Sequence, residues 1–150
     1  MIHLRTIMYS GLLASLLLLS ACNDSSTAPA ANNVVAQLSG SNEIPTVVGE
    51  GSGTFKASLD QQTRALKWTI NYSQLSGPVT AAHFHGPATA EENAGVLVPI
   101  TGNLVVSPIE QTITLTAAQM AELLAGKWYL NLHTAANPKG EIRGQVTVQK

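Results

Sequence analysis

Residues 51–72, Gly51-Ser52-Gly53-Thr54-Phe55-Lys56-Ala57-Ser58-Leu59-Asp60-Gln61-Gln62-Thr63-Arg64-Ala65-Leu66-Lys67-Trp68-Thr69-Ile70-Asn71-Tyr72, contain two strand patterns around a turn. Phe55, Ala57 and Leu59 share one side of the first pattern, and Thr54, Lys56 and Ser58 the other. Leu66, Trp68, Ile70 and Tyr72 repeat this in the second. A period of two puts one face of each segment against a core and the other outward. Asp60-Gln61-Gln62-Thr63 between them has turn chemistry.

Working outward, the same grammar recurs. Val34–Leu38 precedes the pair. Val79–His85 follows it after the break Ser76-Gly77-Pro78 and is closed by Gly86-Pro87. Val96–Ile100 and Gln111–Leu115 come next, and Trp128–His133 places Trp128, Leu130 and Leu132 inward. Asn137-Pro138-Lys139-Gly140 is a turn, and Glu141–Val148 places Ile142, Val146 and Val148 inward. One helix is expected near residues 116–125. Thr116 and Gln119 have the spacing of a capping box, Met120, Leu123 and Leu124 form its apolar stripe, and Gly126 stands where a left-handed C-cap belongs. Many short strands and one short helix predict an all-β fold, an antiparallel Ig-like sandwich or barrel.

The first residues differ in kind. Met1–Arg5 is basic, Ile7–Leu19 is apolar, and Leu19-Ser20-Ala21-Cys22 follows. These are the three regions of a secretory signal, and the Leu-Ser-Ala-Cys ending resembles a bacterial lipobox. The expectation is a signal peptide over residues 1–21, cut before Cys22, whose thiol carries the lipid. The apolar run is short for a membrane span of about 20 residues. Cys22 is the only cysteine among 150 residues, which excludes an internal disulfide and any CxxC motif. A thioether to lipid would also remove a lone thiol from an oxidising compartment. Asn23–Asn33 has no large apolar side chain and reads as a flexible tether, residues 22–33. Residues 34–150 form the domain, long enough to build a core.

The expected setting is therefore the bacterial cell envelope, with the membrane as partner through the anchor. Asn23 rather than Asp after the cysteine favours the outer membrane, with the domain exposed to the periplasm or the cell surface. The chain is 45% hydrophobic and 11% charged. Without residues 1–21, which hold Arg5 and no acidic side chain, seven basic and nine acidic side chains remain, a formal charge of −2. That balance does not suit a polyanion, and nucleic acid is not an expected partner.

Four segments resemble the CHRD domain, described first as a repeat in chordin and common in bacterial secreted proteins. They are Leu38-Ser39-Gly40-Ser41-Asn42-Glu43-Ile44-Pro45, Gly51-Ser52-Gly53, Ala81-Ala82-His83-Phe84-His85-Gly86-Pro87-Ala88, and Trp128 through Gln145 with its Asn-Leu-His-Thr-Ala-Ala-Asn-Pro-Lys-Gly-Glu-Ile-Arg-Gly core. The resemblance covers nearly the whole domain and implies an Ig-like sandwich or barrel. It implies no reaction, and chordin's part in growth-factor antagonism does not transfer with the fold.

The chemistry-bearing residues are histidines. His83 and His85 are two apart on one strand and project from one face, with Phe84 pointing to the core. His133 ends a later strand on the face opposite its apolar neighbours. If the two strands are close, three imidazoles converge, and imidazole suits copper and zinc. The His-Phe-His stretch also resembles the copper-binding strand of copper–zinc superoxide dismutase, over those residues alone. That enzyme's bridging His, Asp ligand and disulfide have no counterpart, so dismutase activity is not expected. The alternative is a structural polar cluster, in which the imidazoles bond to the backbones of adjacent turns and Glu141 and Arg143, two apart on one strand, join the network.

Glu43 reads as a turn or capping carboxylate. Glu91-Glu92-Asn93 reads as a solvated acidic loop or a set of oxygen ligands for a hard cation. There is no Gly-x-Ser-x-Gly elbow, P-loop or dinucleotide fingerprint. The expected function is thus a non-enzymatic binding or structural module, acting on an envelope protein. The second reading is a periplasmic copper or zinc protein using His83, His85 and His133.

Overall fold

The computed structural model describes residues 32–149. The signal, Cys22 and almost all of the expected tether lie outside the described residues. Eight strands form a single antiparallel sheet: β1 (Asn32–Ser39), β2 (Ser52–Asp60), β3 (Ala65–Ser73), β4 (Val79–His85), β5 (Val96–Ile100), β6 (Ile109–Thr114), β7 (Trp128–Thr134) and β8 (Ile142–Gln149). Their order across the sheet is β5-β4-β7-β8-β1-β2-β3-β6. The fold is all-β, a curled half-barrel with one short helix, α1 (Ala117–Leu124).

The curl follows from the aromatic side chains. Three strands separate β4 from β2 in the sheet order. Even so, the Phe84 ring of β4 packs edge-on against Phe55 of β2 at 5.5 Å and Trp68 of β3 at 5.3 Å between centroids. Trp128 of β7 joins them at 5.6 Å. A flat sheet cannot bring these strands together, so the sheet wraps its apolar face around the cluster. Each aromatic pair contributes about 0.5–1.5 kcal/mol beyond area burial. Leu59, Leu66, Ile70, Leu130, Leu132, Ile142 and Val146 complete this core with no exposed surface.

The helix has the expected ends. The Thr116 hydroxyl accepts from the Gln119 amide at 3.2 Å, and the Gln119 side chain accepts from the Thr116 amide at 2.9 Å. At the other end Gly126 takes φ +68. Its N–H reaches Leu123 O, and the next N–H, of Lys127, reaches Glu122 O. That paired closure caps the last free carbonyls and needs the left-handed residue. Leu123 inserts fully into the core.

Several strand ends differ from expectation by one or two residues, and β1 begins at Asn32, so that Asn32 and Asn33 of the expected tether are in the strand. β6 begins at Ile109 rather than Gln111, because Ile109 pairs with Ile70 and Glu110 with Thr69. β8 begins at Ile142 rather than Glu141. The Glu141 carboxylate is drawn instead to Ser76 and Thr134.

Candidate metal centre on the outer sheet face

β7 is buried along both faces. Its core face carries Trp128, Leu130 and Leu132. Its outer face carries Tyr129, Asn131 and His133, each at least nine-tenths buried. The register places Asn131 between His83 of β4 and Arg143 of β8, and His85 beside Tyr129. His83, His85, Asn131 and His133 therefore form a two-by-two patch, a His-x-His stretch facing an Asn-x-His stretch.

The three imidazoles converge, as their strand positions suggested. One ring nitrogen from each of His83, His85 and His133 lies within 4.8 Å of the others. His83 Nδ1 is 3.0 Å from His133 Nε2. Two backbone carbonyls set the remaining ring orientations: His133 Nδ1 donates to Pro138 O at 3.1 Å, and His85 Nδ1 donates to Ala94 O at 3.0 Å. A carbonyl only accepts, so both Nδ1 atoms carry hydrogen and both Nε2 atoms are turned into the patch. The turn-pinning role and the convergent role coexist in the same rings. Burial holds His83 and His133 below the ordinary imidazole range, and the other histidines push in the same direction for both. For His133 the Pro138 carbonyl opposes the shift. Neutral rings with free lone pairs are the form that ligates metal.

Glu141 and Arg143 do not join the histidines as a single network. The Glu141 carboxylate accepts from the Ser76 amide at 2.6 Å, from the Ser76 hydroxyl at 2.5 Å and from the Thr134 hydroxyl. Desolvation raises its pKa, but these hydrogen bonds outweigh it and hold the carboxyl below its usual range. Arg143 is 1% exposed. Its guanidinium donates to Asn93 Oδ1 at 2.8 Å and Glu92 O at 2.7 Å, and it covers the Tyr129 ring. Tyr129 in turn stacks on His85, with centroids 4.7 Å apart and the rings 1° from parallel. Arg143 thus reaches the histidines through an aromatic layer, and Glu141 anchors a separate corner.

Glu43 is more than a turn residue. It ends the short 3₁₀ turn Gly40–Asn42 and is a buried residue beside Asn131. Burial raises its pKa; Arg143 and Asn131 oppose that shift. The Asn131 amide lies beside the carboxylate, and Oε1 accepts no hydrogen bond from the described residues. Glu92 spends its carboxylate on the Thr89 amide and hydroxyl, and Asn93 ties Arg143 to Ile44 O. Glu92 and Asn93 are therefore engaged in holding this loop in place. Asn131 was missed in the sequence, although its position two residues before His133 places it on the same strand face.

The fold and patch define an all-β domain with a histidine-rich outer face covered by loops. The CHRD domain profile matches residues 34–146. The chain belongs to the CHRD domain family. No curated protein and no solved structure matched it.

Proposed function

We propose that the chain is a non-catalytic binding protein of the bacterial envelope, anchored by lipid on Cys22, and that its domain holds a copper or zinc ion at His83, His85 and His133. The observation that carries the metal reading is the pair of carbonyls behind the rings. Pro138 O and Ala94 O fix the Nδ1–H of His133 and His85 and aim each Nε2 inward. Metal-ligating histidines have this outer-shell pattern, which sets tautomer and ring angle together. Donors 2.0–2.1 Å from one ion are at most about 4.2 Å apart. The observed limit of 4.8 Å thus leaves about 0.6 Å of closure to side-chain adjustment.

The position of the patch suits an anchored domain. The tether would enter at Asn32, at the end of β1 where Asn33 pairs with Gln149. The patch is level with the other end, where Ser39 pairs with Arg143. At the usual strand rise the two are roughly 20 Å apart, so the site faces away from the attachment point.

The test is elemental analysis of untagged protein extracted from the envelope in detergent, beside Cys22→Ser and the triple His83/His85/His133→Ala variant. Copper or zinc near one equivalent, lost in the triple variant, supports the metal reading. Equal metal in both ends it. Membrane release of Cys22→Ser supports the anchor, and steady hydrolytic or redox turnover by the pure protein contradicts the non-catalytic assignment.

A further inference from the structure

The fourth corner of the patch is Asn131, and its neighbours constrain its chemistry. His85 Nε2 is 3.0 Å from Asn131 Oδ1. Ala94 O already holds the hydrogen on His85 Nδ1. In a neutral ring Nε2 is then a bare lone pair, and it faces the lone pairs of an amide oxygen. Turning the amide over does not relieve this, because its nitrogen lies against the Glu43 carboxylate. A Cβ placed on Gly140 would touch both Asn131 Nδ2, at 2.7 Å, and Glu43 Oε1, so the two atoms border the same small space. Reversal would set amide oxygen against carboxylate oxygen. The amide is therefore fixed with Oδ1 toward the histidines, and two acceptors face each other across 3.0 Å. A proton on Nε2 or a metal cation between the two atoms resolves the contact.

The other cross-strand pair of neighbouring donors has the same spacing, 3.0 Å between His83 Nδ1 and His133 Nε2. Two donors 3.0 Å apart, each 2.0–2.1 Å from one ion, subtend roughly 90–97°. That is the angle between neighbouring ligands in a tetragonal site, well short of the tetrahedral angle. Tetragonal nitrogen and oxygen donors select copper(II). Building on the three-histidine reading above, we propose that Asn131 Oδ1 is the fourth ligand of the site, that Glu43 is its positioning residue, and that the resulting three-nitrogen, one-oxygen set takes copper(II) in preference to zinc. Occupancy replaces two side-chain contacts with four coordination bonds. Glu43 acts as the outer-shell partner of Asn131, as Ala94 O and Pro138 O do for the histidines.

The experiment is competition titration of metal-stripped protein with copper(II) and with zinc, joined to electron paramagnetic resonance of the copper form. Wild type, Asn131→Leu, Asn131→Asp, Glu43→Gln and the triple histidine variant are compared. Wild type is expected to give a tetragonal three-nitrogen, one-oxygen signal and to prefer copper. Asn131→Leu is expected to lose at least about tenfold in copper affinity and to change the signal. Asn131→Asp keeps an oxygen donor, so it should hold or gain affinity while its hyperfine coupling shifts. Glu43→Gln should weaken copper binding less than Asn131→Leu does. Wild-type affinity and signal in Asn131→Leu overturn the fourth-ligand assignment alone, if the triple histidine variant has lost the metal. Tighter zinc than copper overturns the ion assignment. A wild type that binds neither ion overturns the three-histidine reading itself. If Asn131→Leu fails to fold, Asn131→Asp decides: an unchanged spectrum overturns the proposal.

Discussion

The Arg143 guanidinium carbon is 3.5 Å from the centroid of the Tyr129 ring. The same ring stacks on His85, and its hydroxyl accepts from the Ala94 amide at 3.1 Å. Arg143 also donates to carbonyls in the 89–92 stretch and to Asn93. One buried cation therefore orders the loop that supplies the carbonyl behind His85. Removing it is expected to cost at least about 2 kcal/mol, from lost charged hydrogen bonds and the cation–π contact. Arg143→Lys should recover only part, since an ammonium lacks the planar fork. Urea unfolding with hydrogen exchange at Ala94 checks this. Unchanged Ala94 protection in Arg143→Met would count against it.

Gly140 is needed for two reasons that act together. Its φ is +129, and a Cβ there would collide with Glu43 Oε1 and Asn131 Nδ2. Gly140→Ala is expected to destabilise by about 1–3 kcal/mol from backbone strain alone. Gly95, with open space around it, is the control, where alanine should change stability by less than about 0.5 kcal/mol. Equal denaturation midpoints for the two variants would refute the assignment.

Lowered pKa values at His83 and His133 predict the acid behaviour of the metal-free protein. The unfolded rings titrate near the ordinary imidazole value of 6.5, and the folded rings titrate below it. Between those values the unfolded chain binds more protons, so stability rises with pH. The contribution is whole above about 6.5 and is lost as pH falls toward the folded values. Glu43 has the opposite sign. Its raised folded pKa makes stability fall as pH rises above the ordinary carboxylate value of 4.5. Thermal melts of Glu43→Gln between pH 5 and 7.5 isolate the histidine slope. The triple histidine variant in the same background should be flatter over that window, and an identical slope would contradict the account.

The helix cap gives a prediction independent of the site. Thr116→Ala removes the hydroxyl that holds the Gln119 amide and is expected to cost about 1 kcal/mol, read as a lower urea midpoint with copper affinity unchanged.

Much of this was legible because it is local. β4 is legible to the residue from the breaks Ser76-Gly77-Pro78 and Gly86-Pro87, β5 matches the expected Val96–Ile100, and α1 is legible from Thr116, Gln119 and Gly126. The convergence of His83, His85 and His133 was legible as a condition, since strand parity put the rings on one face but not the strands side by side. What escaped was long-range. The Tyr129, Asn131 and His133 face looks like a solvent face in sequence. The three-dimensional structure buries it. Glu43 reaches it from far along the chain, and Arg143 threads into the 89–93 loop. The separation of Glu141 from the histidines depends on Ser76, which no periodicity in β8 announces.

The most direct test of the central claim is copper and zinc binding by metal-stripped, untagged protein, with the triple His83/His85/His133→Ala variant beside it and circular dichroism confirming that both are folded. The account predicts one tight equivalent in the wild type and none in the variant. Equal binding by the two, or none by a folded wild type, would contradict it.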